Sequence, residues 1–226
     1  MKRSEINKFI ISAENFFKQM NFKLPPFSKF TKEELLAEKN RSSESEIFKA
    51  GLGWDITDFG SGNFLDKGLL LFTLRNGILK TDNSKKYAEK IMIVEENQET
   101  PLHFHWSKME DIINRGGGNL ILETYNSNKA EELLDSNVKI TVDGIERCFK
   151  AAEKIVLMPG QSITIPQMLY HKFYGEKGKG KVLVGEVSMV NDDTTDNRFY
   201  EPAGRFSNIE EDEEPYRFLV QDYMHC

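Results

Sequence analysis

Over residues 4–22 the apolar positions Ile6, Phe9, Ile10, Ala13, Phe16, Phe17 and Met20 recur every three or four residues. That spacing is one face of an amphipathic helix, with Ser4 placed to cap it and Pro25-Pro26 to end it. Its length and charge are unlike a membrane anchor, so the apolar face is expected to pack on a sheet or on a partner subunit. Thr31-Lys-Glu-Glu34 has the form of a capping box and predicts a second, short helix through about Lys39. Asn40 to Ser45 reads as a polar connection.

From Gly51 onward the pattern changes to short apolar runs between turn residues. Residues 69–74 read as a buried strand, and Asn76-Gly77 as a hairpin turn. Further strands are predicted at 91–94, in the histidine-bearing stretch after Pro101, and at 119–125, 138–142, 154–158, 162–165 and 182–190, with a turn at Gly60-Ser61-Gly62. Many short strands separated by Gly, Asn and Asp predict an antiparallel barrel or a double-sheet jelly roll. The expected organisation of residues 1–226 is a single domain: a helical N-terminal extension (1–45), a barrel (51–206) and a C-terminal segment (207–226). The acidic run at 210–214 reads as a solvated surface segment.

Composition narrows the partners. The net charge is −6, with no basic stripe to neutralise phosphates, so nucleic acid is not an expected partner. The longest uninterrupted apolar run, Gly68-Leu-Leu-Leu-Phe72, is far too short to span a bilayer. The opening Met-Lys-Arg-Ser-Glu is not a secretory h-region, so no membrane contact is expected and the cytoplasm is the simplest address. Cys148 and Cys226 are too few for a disulfide framework and are ordinary in a reducing compartment.

The stretch Pro101-Leu-His-Phe-His-Trp-Ser-Lys-Met-Glu110 is the chemical centre of the chain. In an extended segment His103 and His105 point to one side and Phe104 to the other. Two imidazoles on one face can grip one ion, and Glu110 follows where the chain can turn back. His171 stands behind another apolar, strand-like run. Three imidazoles and a carboxylate suit one divalent ion of Mn, Fe, Co, Ni or Zn rather than Mg or Ca.

The spacing of His103-x-His105, Glu110 and Gly117, followed by Gly160, Pro166 and His171, resembles the two motifs of cupins. Asn97, Met168 and Gly175 stand where other residues are usual, while all four ligand positions are filled. The run from Gly51-Leu-Gly-Trp-Asp-Ile-Thr-Asp-Phe-Gly60 to Asn197-Arg-Phe-Tyr-Glu-Pro-Ala-Gly-Arg-Phe206 further resembles D-lyxose isomerases. That resemblance covers nearly the whole chain. It implies a cupin-type antiparallel jelly-roll barrel, one Mn2+ per chain and a small-molecule sugar substrate. It also implies an aldose–ketose isomerase acting on D-lyxose and D-xylulose, with D-mannose and D-fructose as a related pair. A homodimer is expected from the apolar N-terminal helix and an exposed barrel edge. Two other readings stay open: a metal-dependent cupin dioxygenase, and a non-catalytic sugar-binding cupin.

Moving hydrogen between neighbouring carbons also needs a base and a proton shuttle. Lys108, between His105 and Glu110, can reach a substrate oxygen beside the ion. Glu186 interrupts the otherwise apolar run 182–190, where a carboxylate is costly unless paired or functional. The polar stretch 191–205 supplies Glu201, the first choice for the base, and Asp193 and Arg205 as substrate contacts; Lys90 is a further contact. Asp55 could line the mouth of the barrel, while Trp54 reads as core. Arg115-Gly-Gly-Gly118 lacks the strand–loop–helix setting of a phosphate loop and reads as tight strand geometry. Ligands for only one ion, beside several spare carboxylates, favour proton abstraction through an enediol(ate) over a hydride shift.

Overall fold

The first helix, α1, spans Arg3–Gln19. Lys2, not Ser4, holds the N-cap position, and its N–H donates to Glu5 Oε2 at 2.9 Å. Ser4 lies inside the helix and donates its hydroxyl to Asp212. The helix stops well before Pro25-Pro26 because Asn21 adopts the left-handed conformation, φ 54°. Asparagine enters that region at low cost. Pro26 instead opens a 3-10 turn, Pro26–Lys29. The second helix, α2 (Lys32–Arg41), has the expected capping box, with Thr31 Oγ1 accepting from Glu34 N–H and Thr31 N–H donating to Glu34 Oε2. It runs past Lys39 into the stretch read as a connection. A single turn, α3 (Glu46–Lys49), leads into the strands. This computed structural model describes residues 1–224 apart from Asn191, Asp193, Thr194 and Phe206, with Met224 described by its backbone. Cys226 and the candidate contact Asp193 therefore lie outside the described residues.

Among the described residues the strands, in chain order, begin with β1 (Gly53–Thr57), β2 (Leu69–Arg75), β3 (Tyr87–Val94), β4 (Thr100–His105) and β5 (Glu110–Gly117). Next come β6 (Leu120–Ser127), β7 (Leu133–Leu134), β8 (Val138–Val142), β9 (Ile145–Phe149) and β10 (Ile155–Leu157). The series closes with β11 (Ser162–Ile165), β12 (Tyr170–Gly175), β13 (Val182–Met189) and β14 (Asn197–Phe199). One sheet of the described residues has the order β1-β2-β3-β13-β5-β11-β8-β9; the other runs β10-β6-β12-β4-β14, with β7 beside β6. Every strand pairing is antiparallel. Both sheets contribute inward residues to one apolar core, Met92, Ile112 and Val184 from the first and Leu120, Leu157 and Phe173 from the second. This is the antiparallel jelly-roll barrel expected from the strand pattern.

The outer face of the larger sheet is covered too. Leu70, Phe72, Ile91 and Ile93 form a second core with Ile6, Ile10, Ala13, Phe16 and Phe17 of α1. Leu69 and Leu71 point the other way, into the barrel. A strand buried on both faces loses its polar alternation, which is why residues 68–72 read as a continuous apolar run. The face of α1 is therefore satisfied within the chain and is not left for a partner.

Register builds a transverse row across the barrel interior. Thr73 pairs with Lys90, Lys90 with Glu186, Glu186 with Ile112, Ile112 with Ile163, and Ile163 with Val142. The row is polar on β2, β3 and β13 and apolar on β5, β11 and β8. At this level one side of the barrel interior is thus polar and the other apolar.

Two local readings change. Asn76-Gly77 does not close a tight hairpin: β2 and β3 pair, but residues 76–86 form a longer connection between them. The Asn76 side chain instead donates to Ala50 O and accepts from Gly77 N–H, anchoring that connection beside α3. The acidic run at 210–214 is exposed, yet it is bound to the positive end of the α1 dipole. Glu211 accepts two bonds from the buried Arg3 guanidinium, which also forks onto Asp222, and Asp212 accepts from Ser4 N–H. The glycine triplet does serve close strand geometry. Gly117 has φ 88°, and a side chain there would meet Lys181 O at 2.3 Å.

Arg3→Ala leaves the half-buried Asp222 carboxylate without its counter-charge. After discounting for the exposed Glu211, the cost is about 2–3 kcal/mol. The melting temperature is then expected to fall by about 5–10 °C in a calorimetric scan, with activity per folded molecule unchanged.

Candidate metal centre and active site

Alternation along β4 sends His103 and His105 into the barrel, while Phe104 packs outward against Trp106 and Tyr170. His171 on β12 pairs directly with His103. Candidate ligand atoms of the three imidazoles all lie within 4.8 Å of one another, and all three side chains are buried. Glu110, first residue of β5, brings its Oε1 to 3.0 Å from His171 Nε2 and 3.5 Å from His105 Nε2.

The outer ring nitrogens fix which atoms face inward. His103 Nδ1 is 2.7 Å from Pro101 O, His105 Nδ1 3.1 Å from Asp196 O, and His171 Nδ1 3.0 Å from Leu169 O. A carbonyl oxygen only accepts, so each Nδ1 carries the proton and each Nε2 presents a lone pair. His105 Nε2 and His171 Nε2 are buried without a hydrogen-bond partner among the described residues. The 3.0 Å approach of His171 Nε2 to Glu110 Oε1 thus sets two acceptors against each other. A metal ion between them satisfies that arrangement, as does a proton on Nε2. The cluster can hold a metal ion, and the backbone carbonyls behind the rings orient the ligands as such centres require.

The electrostatics agree. Burial holds the His103 ring well below the ordinary histidine value, assisted by His171 and His105. Burial also lowers His105, with help from the Lys108 ammonium. Burial alone would raise Glu110, but Lys108 and His105 hold its carboxyl well below the usual range. Deprotonated imidazoles and an ionised carboxylate are the forms that bind metal.

Beside this centre is a second buried group. Lys108 Nζ lies 2.6 Å from Glu110 Oε2 and 3.1 Å from Glu186 Oε1. Lys90 Nζ stands 3.4 Å from the same Glu186 oxygen, which also accepts from Ser188 Oγ at 2.9 Å. His103, His105, Glu110, Lys108, Glu186, Lys90 and Arg205 line one interior cavity of about 60 Å³, with His171 behind it against Glu110. Glu201 is not brought there: it is exposed and lines a separate outer depression with Tyr200 and Lys172. The turn after Phe199 carries it away from the barrel interior. Trp54 is core, donating its indole N–H to Ser28 O.

Sequence reasoning missed Asp196. Its carboxylate accepts from Ser107 N–H and Lys108 N–H, and its carbonyl meets His105 Nδ1. It therefore sets both the metal-side ring and the turn that aims Lys108. Asn197 and Phe199 also line the cavity. All three lie in the polar stretch singled out beforehand, but alternation along the short β14 could not be read without knowing that it pairs with β4.

The D-lyxose isomerase family model matches residues 1–223. The chain belongs to that family. Two D-lyxose/D-mannose isomerases are similar over almost the whole length. One, from Serratia proteamaculans, is 47% identical over 225 residues, covering 99% of this chain and 98% of its own. The other, from Escherichia coli O157:H7, is 47% identical over 224 residues with the same coverage. The fold is shared with L-ribose isomerase of Acinetobacter sp. DL28, at TM-score 0.63 and 14% identity, covering 93% of this chain and 98% of that one. The Cellulomonas parahominis L-ribose isomerase matches at TM-score 0.62 with 13% identity and the same coverage. The protein is thus an aldose–ketose isomerase of cupin fold, and the dioxygenase and non-catalytic readings give way.

The protonation of His103 and His105 is testable by pH. In metal-free protein, the unfolded chain protonates His103 and His105 below about 6.5, whereas the folded chain resists it. The unfolded state then binds more protons, so stability of the metal-free protein is expected to fall as pH drops from about 6.5. Thermal scans between pH 7.5 and 5, as probe values of roughly that range, check this; His103→Gln should flatten the slope.

Proposed function

We propose that this isomerase interconverts D-lyxose with D-xylulose and D-mannose with D-fructose, using one Mn2+ held by His103, His105, His171 and Glu110. The observation that carries the metal reading is the buried contact of two acceptors, His171 Nε2 and Glu110 Oε1. The names of the relatives support the sugars. When bound, the ion supplies a Lewis acid that polarises the sugar carbonyl and its neighbouring hydroxyl.

The chain's own residues do the rest. Glu186, held beside two ammonium groups, takes the proton from C2 and returns it at C1. Lys108 lends a proton to O1 and recovers one from O2, so the conversion through an enediol is balanced without an oxidant. Its contact with Glu110 Oε2 fixes it at the reacting end. Lys90 and Arg205 contact sugar hydroxyls. Glu201, by its exposure, has no part in the chemistry as proposed.

The same reading makes residues 1–226 one domain, supported by the packing of α1 on the barrel and by the Arg3 bonds to Glu211 and Asp222. It makes the protein cytoplasmic and homodimeric. No helix of the described residues is long and apolar enough to cross a membrane. Exposed Tyr87, Met109, Val187 and Met189 surround one depression suited to a second copy.

The deciding experiment strips the protein of metal and resupplies single divalent ions, assaying aldopentoses and aldohexoses. Activity restored by Mn2+ with D-lyxose and D-mannose is the expected result. Turnover of neither sugar with any ion would overturn the proposal.

A further inference from the structure

The interior cavity is narrow, at about 60 Å³. A second, larger cavity of about 460 Å³ adjoins it, between α3, the 76–86 connection and β1. Lys90 and Arg205 line both cavities.

Asp55 stands on the outer side of this seam. It faces the barrel interior from β1, between the outward core residues Trp54 and Ile56. It is 8% exposed, yet lines the larger cavity. Its Oδ2 accepts from Arg205 Nη2 at 2.6 Å. Its Oδ1 accepts no hydrogen bond among the described residues, so a buried carboxylate presents a spare acceptor to the cavity. Thr73 adds a hydroxyl to the same wall, at the polar end of the transverse row.

Resting on the isomerase reading above, we propose that an open-chain sugar binds across both cavities. Its reacting C1–C2 end occupies the interior cavity, and its remaining carbons pass between Lys90 and Arg205 into the larger one. There Asp55 accepts hydrogen bonds from hydroxyls remote from the reaction. D-lyxose and D-mannose share configuration at C2, C3 and C4 and differ only by one further CHOH unit at the remote end. The larger cavity therefore decides how well the hexose is used relative to the pentose, and the interior cavity is indifferent to that choice.

Two kinds of variant test this in the metal-loaded protein. Ala50→Leu and Ile78→Trp each add bulk to the lining of the larger cavity, and either one suffices if the other folds poorly. Each should lower kcat/KM for D-mannose about tenfold or more relative to D-lyxose, since a filled site rejects the longer chain. Asp55→Asn should raise KM for both sugars about tenfold while kcat stays within about twofold, the signature of lost uniform binding. Calorimetry with the matching unreactive alditols should show the same weakening, independent of turnover. If the wild-type protein isomerises both sugars but the hexose-to-pentose ratio is unchanged in both filling variants, the two-cavity placement is wrong and the isomerase reading survives. If the wild-type protein isomerises neither sugar, both fall together.

Discussion

His171→Ala is expected to leave a folded protein that holds no metal and turns over substrate about 10³-fold or more slowly, the loss of a Lewis acid worth several kcal/mol. His103→Ala and His105→Ala should behave alike. The three rings converge from two neighbouring strands, β4 and β12, and their Nδ1 protons are fixed by backbone carbonyls. Removing any one ring breaks the set without touching the apolar core behind it. Circular dichroism checks the fold and elemental analysis the metal. Because His171 is fully buried, His171→Gln is the companion variant that keeps volume in the site. Full metal occupancy in all three alanine variants would remove the metal centre from the proposal.

Glu186→Gln is expected to lower kcat by about 10²- to 10⁴-fold, the usual range for a positioned general base, with KM changed only a few-fold. The amide keeps the shape of the side chain but cannot accept the C2 proton. Turnover of wild type in D2O should place deuterium in the product if the proton on Glu186 exchanges before its return. Glu201→Gln is the control, exposed and away from the cavity, and should retain near wild-type kcat. Near-normal kcat in Glu186→Gln would sink the proton-transfer route through this residue.

The alternation His103-Phe104-His105 was readable because a half-buried strand has a period of two, and the structure places those rings on one face. The solitary carboxylate in an apolar run also pointed inward, and Glu186 is buried. What could not be read was which strand lies beside which. Lys90 and Glu186 face each other only because β3 pairs with β13, far apart in sequence. For the same reason the polarity of the stretch 191–205 gives no direction, although Glu201 is exposed and Asp196 buried. Helix ends were misplaced where a single backbone conformation decided them, as at Asn21. The hairpin expected at Asn76-Gly77 failed because the asparagine bonds across to Ala50.

The transverse row from Thr73 to Val142 separates two kinds of evolutionary freedom. Thr73, Lys90 and Glu186, on β2, β3 and β13, stand outside the interior apolar layer, while Ile112, Ile163 and Val142 belong to it. Substitutions that retune which sugar is preferred can accumulate on one flank without eroding the melting temperature. Descendants of such a barrel can therefore drift in diet before they drift in architecture.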